Sequence, residues 1–295
     1  MLIERMSWSR KLFVICNYSL LIALAGICVL PLIYLLALSF SSNNAAAAGM
    51  VKLWPVDFTW KAYEFILSKP EFSRSLIVTL QRVLLGVSLN MILTVLVAYP
   101  LSKESSALKG RTVYVWIFVF TMLFNGGIIP LYMTIRALGL LDSIWALVLH
   151  HAVPVFNIVI LLNFFRGLPK ELEEAALMDG ASHWRILWSI YVPLSAPSLA
   201  TVTLFSTVAQ WNSWFDGILF MNSPENYPLQ SYLYTVVVGL ETLMKSTTDL
   251  ELIHLVSDRT AKAAQIFLGA LPILVLYPFL QRYFTKGIVL GSVKG

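Results

Sequence analysis

The chain has 295 residues, 58% of them hydrophobic and 13% charged, with a formal charge of +5. Soluble domains carry about 25% charged residues, so this composition excludes an ordinary water-soluble protein and points to lipid as the solvent. The basic residues form no block but sit between long apolar runs, as topology signals do, which argues against nucleic acid as a partner.

Residues 1–11 are basic and read as a cytoplasmic N-terminus. The apolar run at 12–40 is too long for a signal-peptide core and lacks a cleavage site, so it reads as a retained first span. Cys16 and Cys28 both fall in it. On one helix they stand roughly 18 Å apart, beyond disulfide reach, and they read as inert core thiols.

Further apolar segments at 76–100, 112–135, 142–165, 198–221 and 265–284 each suit a spanning helix, which needs roughly 20 apolar residues. The expected fold is therefore an all-α integral membrane protein of about six spans, with a transmembrane domain at 12–284 and a tail at 285–295. An even number of spans puts both termini on one side. With the N-terminus inside, 12 Lys and Arg residues fall on inner segments and 8 on outer ones, which favours cytoplasmic termini.

The outer loop 41–75 opens on Ser41-Ser42-Asn43-Asn44 and an alanine run, then turns aromatic and amphipathic. The outer loop 222–264 is the longest, with Pro224, Pro228 and a polar stretch at 245–251. Loops of this length are more often functional or disordered than plain connectors, and docking of an external partner is expected here.

The inner loop 166–197 reads RGLPKELEEAALMDGASHWRILWSIYVPLSAP. Pro169 suits a first helical position, and Glu171, Glu173 and Glu174 suit the first turns, where the helix dipole favours anions. Leu172, Ala175, Ala176 and Asp179 share one face at helical spacing. Gly180 fits a C-cap and Ser182 an N-cap. Trp184, Leu187, Trp188 and Tyr191 then form an apolar stripe, and Pro193 and Pro197 end the element before span five. The pattern predicts two short helices around a glycine turn on the cytoplasmic face. Spacing alone is equally met by an interfacial amphipathic hairpin.

The string Glu174-Ala175-Ala176-Leu-Met-Asp179-Gly180-Ala181, followed by Ile190, Pro193-Leu194 and Pro197, resembles the EAA motif of type I ABC importer permeases. The resemblance implies that fold, with this loop as the coupling helix that docks on an ATPase subunit through Glu174, Ala175, Ala176, Asp179, Gly180, Ala181 and Trp184. It also implies a second permease subunit, an ATPase dimer carrying ATP and Mg, an external solute-binding protein, and a bacterial inner-membrane location. The end of the chain, 287–295, is similar to the tail of the carbohydrate branch, where Lys294 and Gly295 would reach the ATPase interface. Asn125-Gly126-Gly127-Ile-Ile-Pro130 resembles permeases for lipo-oligosaccharide and alginate oligosaccharides, so the expected cargo is an oligosaccharide. No GxxxxGK[ST] occurs, so this chain does not itself hydrolyse ATP.

Polar residues inside spans are costly and usually face a cavity or a partner. Helix arithmetic at about 1.5 Å per residue puts Arg82, Asn125, His150, His151, Asn212 and Asp216 in the outer third of the membrane. Trp211, Trp214 and Phe215 stand beside them and suit sugar stacking. Arg82, Asn125, His150, His151, Trp211, Asn212 and Asp216 are thus the candidate cargo pathway. Arg82 with the histidines would suit an acidic oligosaccharide such as a uronate chain; alternatively Arg82 snorkels or pairs with Asp216. Gly126-Gly127 with Pro130 breaks span three at the same depth, as transporter helices do at sites.

Two other functions compete. An ion-coupled secondary sugar transporter would need acids at mid-membrane and an inverted repeat, and among spans two to five the only acid near a cavity is Asp216, close to the outer edge. A membrane enzyme would need a catalytic motif, and no HExxH or GxSxG occurs. His150 and His151 are adjacent, so on a helix they would point apart and make a poor metal pair; no metal is expected.

Overall fold

The computed structural model describes residues 8–243 and 258–292. The elements are helical throughout these residues. In chain order they are α1 (Trp8–Ser39), α2 (Asn43–Ala47), α3 (Lys61–Leu67), α4 (Pro70–Ser102), α5 (Arg111–Leu123), α6 (Ile128–Ala137), α7 (Ile144–Leu149) and α8 (Val155–Arg166). There follow α9 (Lys170–Met178), α10 (His183–Ile186), a π-helical turn Leu187–Tyr191, α11 (Val192–Leu194), α12 (Ala196–Asn212), α13 (Phe215–Phe220), α14 (Leu229–Leu243) and α15 (Asp258–Ser292). They form two compact units, one from the residues up to Lys69 with Val236–Ala270, the other from Pro70–Thr235 with the residues from Leu271.

In the first unit, α1 has 32 residues, roughly 48 Å at 1.5 Å per residue, ample for a bilayer core of about 30 Å. Only 6% of its most apolar window is buried. Cys16 and Cys28 are free and exposed on it. The expectation that they are core thiols is therefore corrected: they lie on a helix face that the described residues do not cover. The outer loop after α1 is folded rather than open. Ser42 caps α2 by accepting from Ala45 N. Phe40 stacks on Phe58 and Tyr63 at 5.3 and 4.7 Å and meets Trp60 edge-on at 4.8 Å.

The second unit is built around α4, a 33-residue helix that packs against α5, α7, α8 and α12. Its inner end sits on a core of Val95, Ala98, Tyr99 and Leu101 with Ile158, Leu161, Leu162, Phe165, Ile186, Leu187 and Tyr191. Three expected spans are not continuous helices. Span three is α5 and α6, bent by 111° about an extended break at 124–127 where Gly127 has φ +93°. At 13 residues, α5 is roughly 20 Å long, short of a full crossing. Span four is α7 and α8, parted at 150–154 ahead of Val155. Span five is α12 and α13, parted at Ser213 and Trp214. Apolar runs read as single spans because hydropathy does not register a break of two to five residues.

Candidate functional site

The polar cluster within the spans begins at the break in span five. Arg82 comes from the middle of α4 and is fully buried. Its Nε donates to Gln210 Oε1 at 2.9 Å, and its Nη1 donates to Ser213 O at 3.2 Å and Asp216 Oδ1 at 3.1 Å. Its Nη2 holds the second Asp216 oxygen, making the pair bidentate. Asp216 also accepts from Ser213 Oγ and from Gly217 N. The guanidinium thus meets the carbonyl end of α12 while the carboxylate sits in the first turn of α13, each charge where the helix dipole favours it. Arg82 splints the break in span five. Its charge is compensated inside the protein, so the geometry supports the structural pairing of Arg82 with Asp216 and removes it as a free cation for cargo.

His150 and His151 do not point apart. Helix α7 ends at Leu149, so the pair lies in a turn, and the two rings come within 3.9 Å at 46°. His150 Nδ1 bonds Ala146 O at 2.8 Å and its Nε2 lies 3.5 Å from Asp216 Oδ2. His151 offers its backbone oxygen to Asn90 Nδ2 at 3.1 Å. Among the described residues, His150, His151 and Asp216 are a trio whose ligand atoms lie within 4.8 Å of one another. A metal ion there would have to displace Arg82 from Asp216, which makes the trio a poor cation site. A cavity of about 360 Å³ opens beside the histidines, walled by Asn90, Asn157, Ser206, Gln210, Phe156 and Phe205 among others.

The remaining candidates scatter. Trp211 is buried. Asn212 is exposed at the end of α12. Asn125 is exposed in the α5–α6 break, where its side chain accepts from Gly127 N at 2.9 Å. Trp214 stacks on Tyr234 at 4.2 Å, so one of its faces is already covered. The structure therefore gathers Arg82, His150, His151 and Asp216, adds Asn90, Asn157, Ser206 and Gln210, and leaves Asn125 elsewhere. These four carry the same sequence signal as the others, polar groups inside apolar runs, but no spacing links them to Arg82 or the histidines.

The inner hairpin follows its sequence closely at the turn. Gly180, at φ +77°, ends α9: Ala181 N donates to Ala176 O at 2.9 Å and Gly180 N to Leu177 O at 3.0 Å. This is the paired-bond Schellman ending. Ser182 caps α10 by accepting from Arg185 N. Pro169 stands one place earlier than expected, at the N-cap. The expected stripe is corrected: Ile186, Leu187 and Tyr191 are buried, while Trp184 and Trp188 are 61% and 47% exposed. The helix opens into a π turn at Leu187–Tyr191, where i to i+5 bonding departs from the 3.6-residue repeat behind the expected stripe. Pro193 and Pro197 begin α11 and α12 rather than ending the preceding element, and the chain bends by 82° between them.

No residue of α9 is fully buried, and Met178 is 89% exposed. Glu174, Ala175, Asp179 and Gly180 are exposed with it, and Ala176 and Ala181 lean on the core. The inward-facing exception is Glu173, which sequence reading treated only as a dipole residue. Lys103 Nζ lies 2.7 Å from Glu173 Oε1, and Tyr191 Oη donates to Glu173 Oε2 at 2.6 Å. The same ammonium sits over the rings of Tyr99 and Tyr191 at 4.0 and 4.1 Å. Burial opposes ionisation of Glu173, but its bonds from Lys103 and Tyr191 outweigh this and hold the carboxyl below its ordinary 4.5. Burial dominates for Lys103 and pulls its ammonium below the ordinary 10.5 despite Glu173. Burial, then Glu173, pushes the Tyr191 phenol up.

Residues 83–290 match the family described as binding-protein-dependent transport system inner membrane components. The chain belongs to this family. It is an ABC transporter permease subunit of the multi-pass membrane class. It is 39% identical to Protein LplC of Bacillus subtilis over 97% of this chain and 96% of that one. It is 38% identical to the polygalacturonan/rhamnogalacturonan transport system permease protein YtcP of the same organism, over 97% and 99%. A crystal structure of a bacterial ABC transporter involved in import of the acidic polysaccharide alginate contains a chain of the same fold. That chain superposes with a TM-score of 0.87 at 36% identity, over 95% of this chain and 99% of that one. The tail residues Lys294 and Gly295, and 244–257 of the outer loop, lie outside the described residues.

Proposed function

We propose that this permease forms half of the path by which an acidic oligosaccharide, delivered by an external binding protein, is imported at the expense of ATP. The observation that carries the reading is full-length likeness to two permeases named for uronate-bearing polymers, polygalacturonan and alginate. ATP and Mg belong to the partner ATPase subunits. The exposed hairpin of α9 and α10, with Met178, Trp184 and Trp188 uncovered, is the ATPase-docking surface. Its position on an inner loop goes with cytoplasmic termini. Because Arg82 is internally paired, selection for carboxylates falls to the binding protein and the second permease, and this chain supplies the amide- and histidine-lined wall.

The test is reconstitution of the complete transporter in liposomes with its binding protein, followed by uptake of galacturonate and galactose trimers of equal length. ATP-dependent uptake of the galacturonate trimer with little of the neutral one is expected. Uptake of the neutral trimer alone would overturn the cargo assignment, and uptake without ATPase subunits would overturn the ABC assignment of this path.

A further inference from the structure

Helix α9 needs a firm attachment if force applied to it is to reach the membrane. Its Schellman ending fixes the turn that follows, but no α9 side chain is fully buried. The Lys170–Glu104 ion pair at its start is exposed on both sides, and exposed pairs hold little. The Lys103–Glu173 pair differs: its side chains are only 12% and 17% exposed. It also joins four elements at once. Lys103 directly follows α4, Glu173 lies on α9, and Tyr191 closes the π turn. Tyr99 of α4 touches Tyr191 edge-on at 5.1 Å and bonds His183 of α10 at 3.1 Å between Oη and Nδ1.

We infer that Lys103 is a positioning residue of transport: its clamp on Glu173, caged by Tyr99 and Tyr191, makes the docking hairpin and α4 move as one piece. This rests on the proposed function. Helix α4 is the element that makes the inference consequential. It runs unbroken from Pro70 to Ser102, whereas spans three, four and five are each broken. Arg82 and Asn90 lie on the same rod as Tyr99. Arg82 is 21 residues before Lys103, roughly 30 Å of helix. A displacement of α9 taken up by Lys103 therefore arrives at the Arg82–Asp216 splint and at the cavity wall carrying Asn90. Without the clamp α9 keeps its Ala176 contact, the exposed Lys170–Glu104 pair and the turn at Gly180, and its motion reaches α4 less directly, through the packed core of Ile186, Leu187 and Tyr191.

The experiment uses the complete transporter in liposomes and measures cargo transported per ATP hydrolysed, with subunit co-purification alongside. The galacturonate trimer with its binding protein is the probe. In Lys103→Met and Glu173→Gln, assembly and basal hydrolysis are expected to persist while cargo per ATP falls by roughly tenfold, within the range of site-to-site couplings. Lys103→Arg, which keeps the charge, and the exchange Lys103→Glu with Glu173→Lys should restore much of the ratio. A wild-type ratio in both single variants would overturn the inference. So would loss of assembly with an unchanged ratio per assembled complex, which marks a purely structural role. Wild-type transporter that hydrolyses ATP without importing the probe would instead count against the cargo reading, and the clamp would then be judged by α4 movement. A nitroxide pair on exposed Leu80 and Leu84, each measured against one on Met178, reports that movement. A nucleotide-driven distance change identical in wild type and Lys103→Met overturns the clamp.

Discussion

Arg82 and Asp216 were conspicuous in the sequence because charges within apolar runs are rare, but their partnership spans 134 positions and no spacing rule links them. Taking one member from a buried pair costs about 3–5 kcal/mol, because the other is left without a counter-ion. Arg82→Gln is therefore expected to lower the thermal stability of the purified protein sharply. Adding Asp216→Asn should recover most of the loss, and a double variant no better than the single would remove the splint from the account. Lys103 shows the opposite problem. A lysine after a span reads as a topology signal, and its partner Glu173 is 70 positions away. The clamp carries a pH signature. Glu173 is held below its ordinary 4.5, so its contribution is present above that value and is lost as pH falls through the lowered one. Lys103, pulled below 10.5 by burial, gives up its proton early on the alkaline side. The melting-temperature gap between wild type and Glu173→Gln should be steady near neutrality and close in acid, since a protonated Glu resembles Gln.

At the scale of elements, helix punctuation read well where it rested on backbone chemistry. Gly180 and Ser182 do at their positions what a C-cap and an N-cap do. With φ at +77°, a β-branched replacement meets the left-handed region's penalty of roughly 1–2 kcal/mol or more. Gly180→Val is expected to insert and purify normally yet fail to co-purify the ATPase, while Gly180→Asn, which tolerates that region, should retain it. Equal retention by both would separate the turn from docking. What misled was periodicity. A 3.6-residue repeat placed Trp184 and Trp188 beside Leu187 and Tyr191, whereas the buried face is Ile186, Leu187 and Tyr191, across a π turn that departs from that repeat, and both tryptophans are exposed. A fixed period cannot foresee a π turn, and Tyr191 at its end packs on Tyr99 and Phe165, residues far away in sequence. The Gly126-Gly127 break was legible, its 111° bend was not.

Over the whole molecule, class and family could be read from hydropathy and one loop, whereas the paths of spans three to five could not. The most apolar window of α1 is only 6% buried, which leaves a long apolar face uncovered by the described residues. Cytoplasmic termini predict the sides of two exposed residues, Ser105 between α4 and α5 and Asn222 after α13. A membrane-impermeant maleimide should label Asn222→Cys in intact cells and Ser105→Cys only after permeabilisation; the reverse would invert the orientation. The splint has a further bearing on how the chain is made. Ribosomes add about 5–20 residues per second, and Asp216 is synthesised 134 residues after Arg82. For roughly 7 to 27 seconds, then, span two holds an arginine in the bilayer with no carboxylate to meet it, at a cost of about 2.5–3.5 kcal/mol were it at the helix centre. In a chain truncated before Asp216 the arginine stays unmet, so in pulse-chase measurements Arg82→Leu should lengthen the lifetime of that truncated chain while shortening that of the finished one.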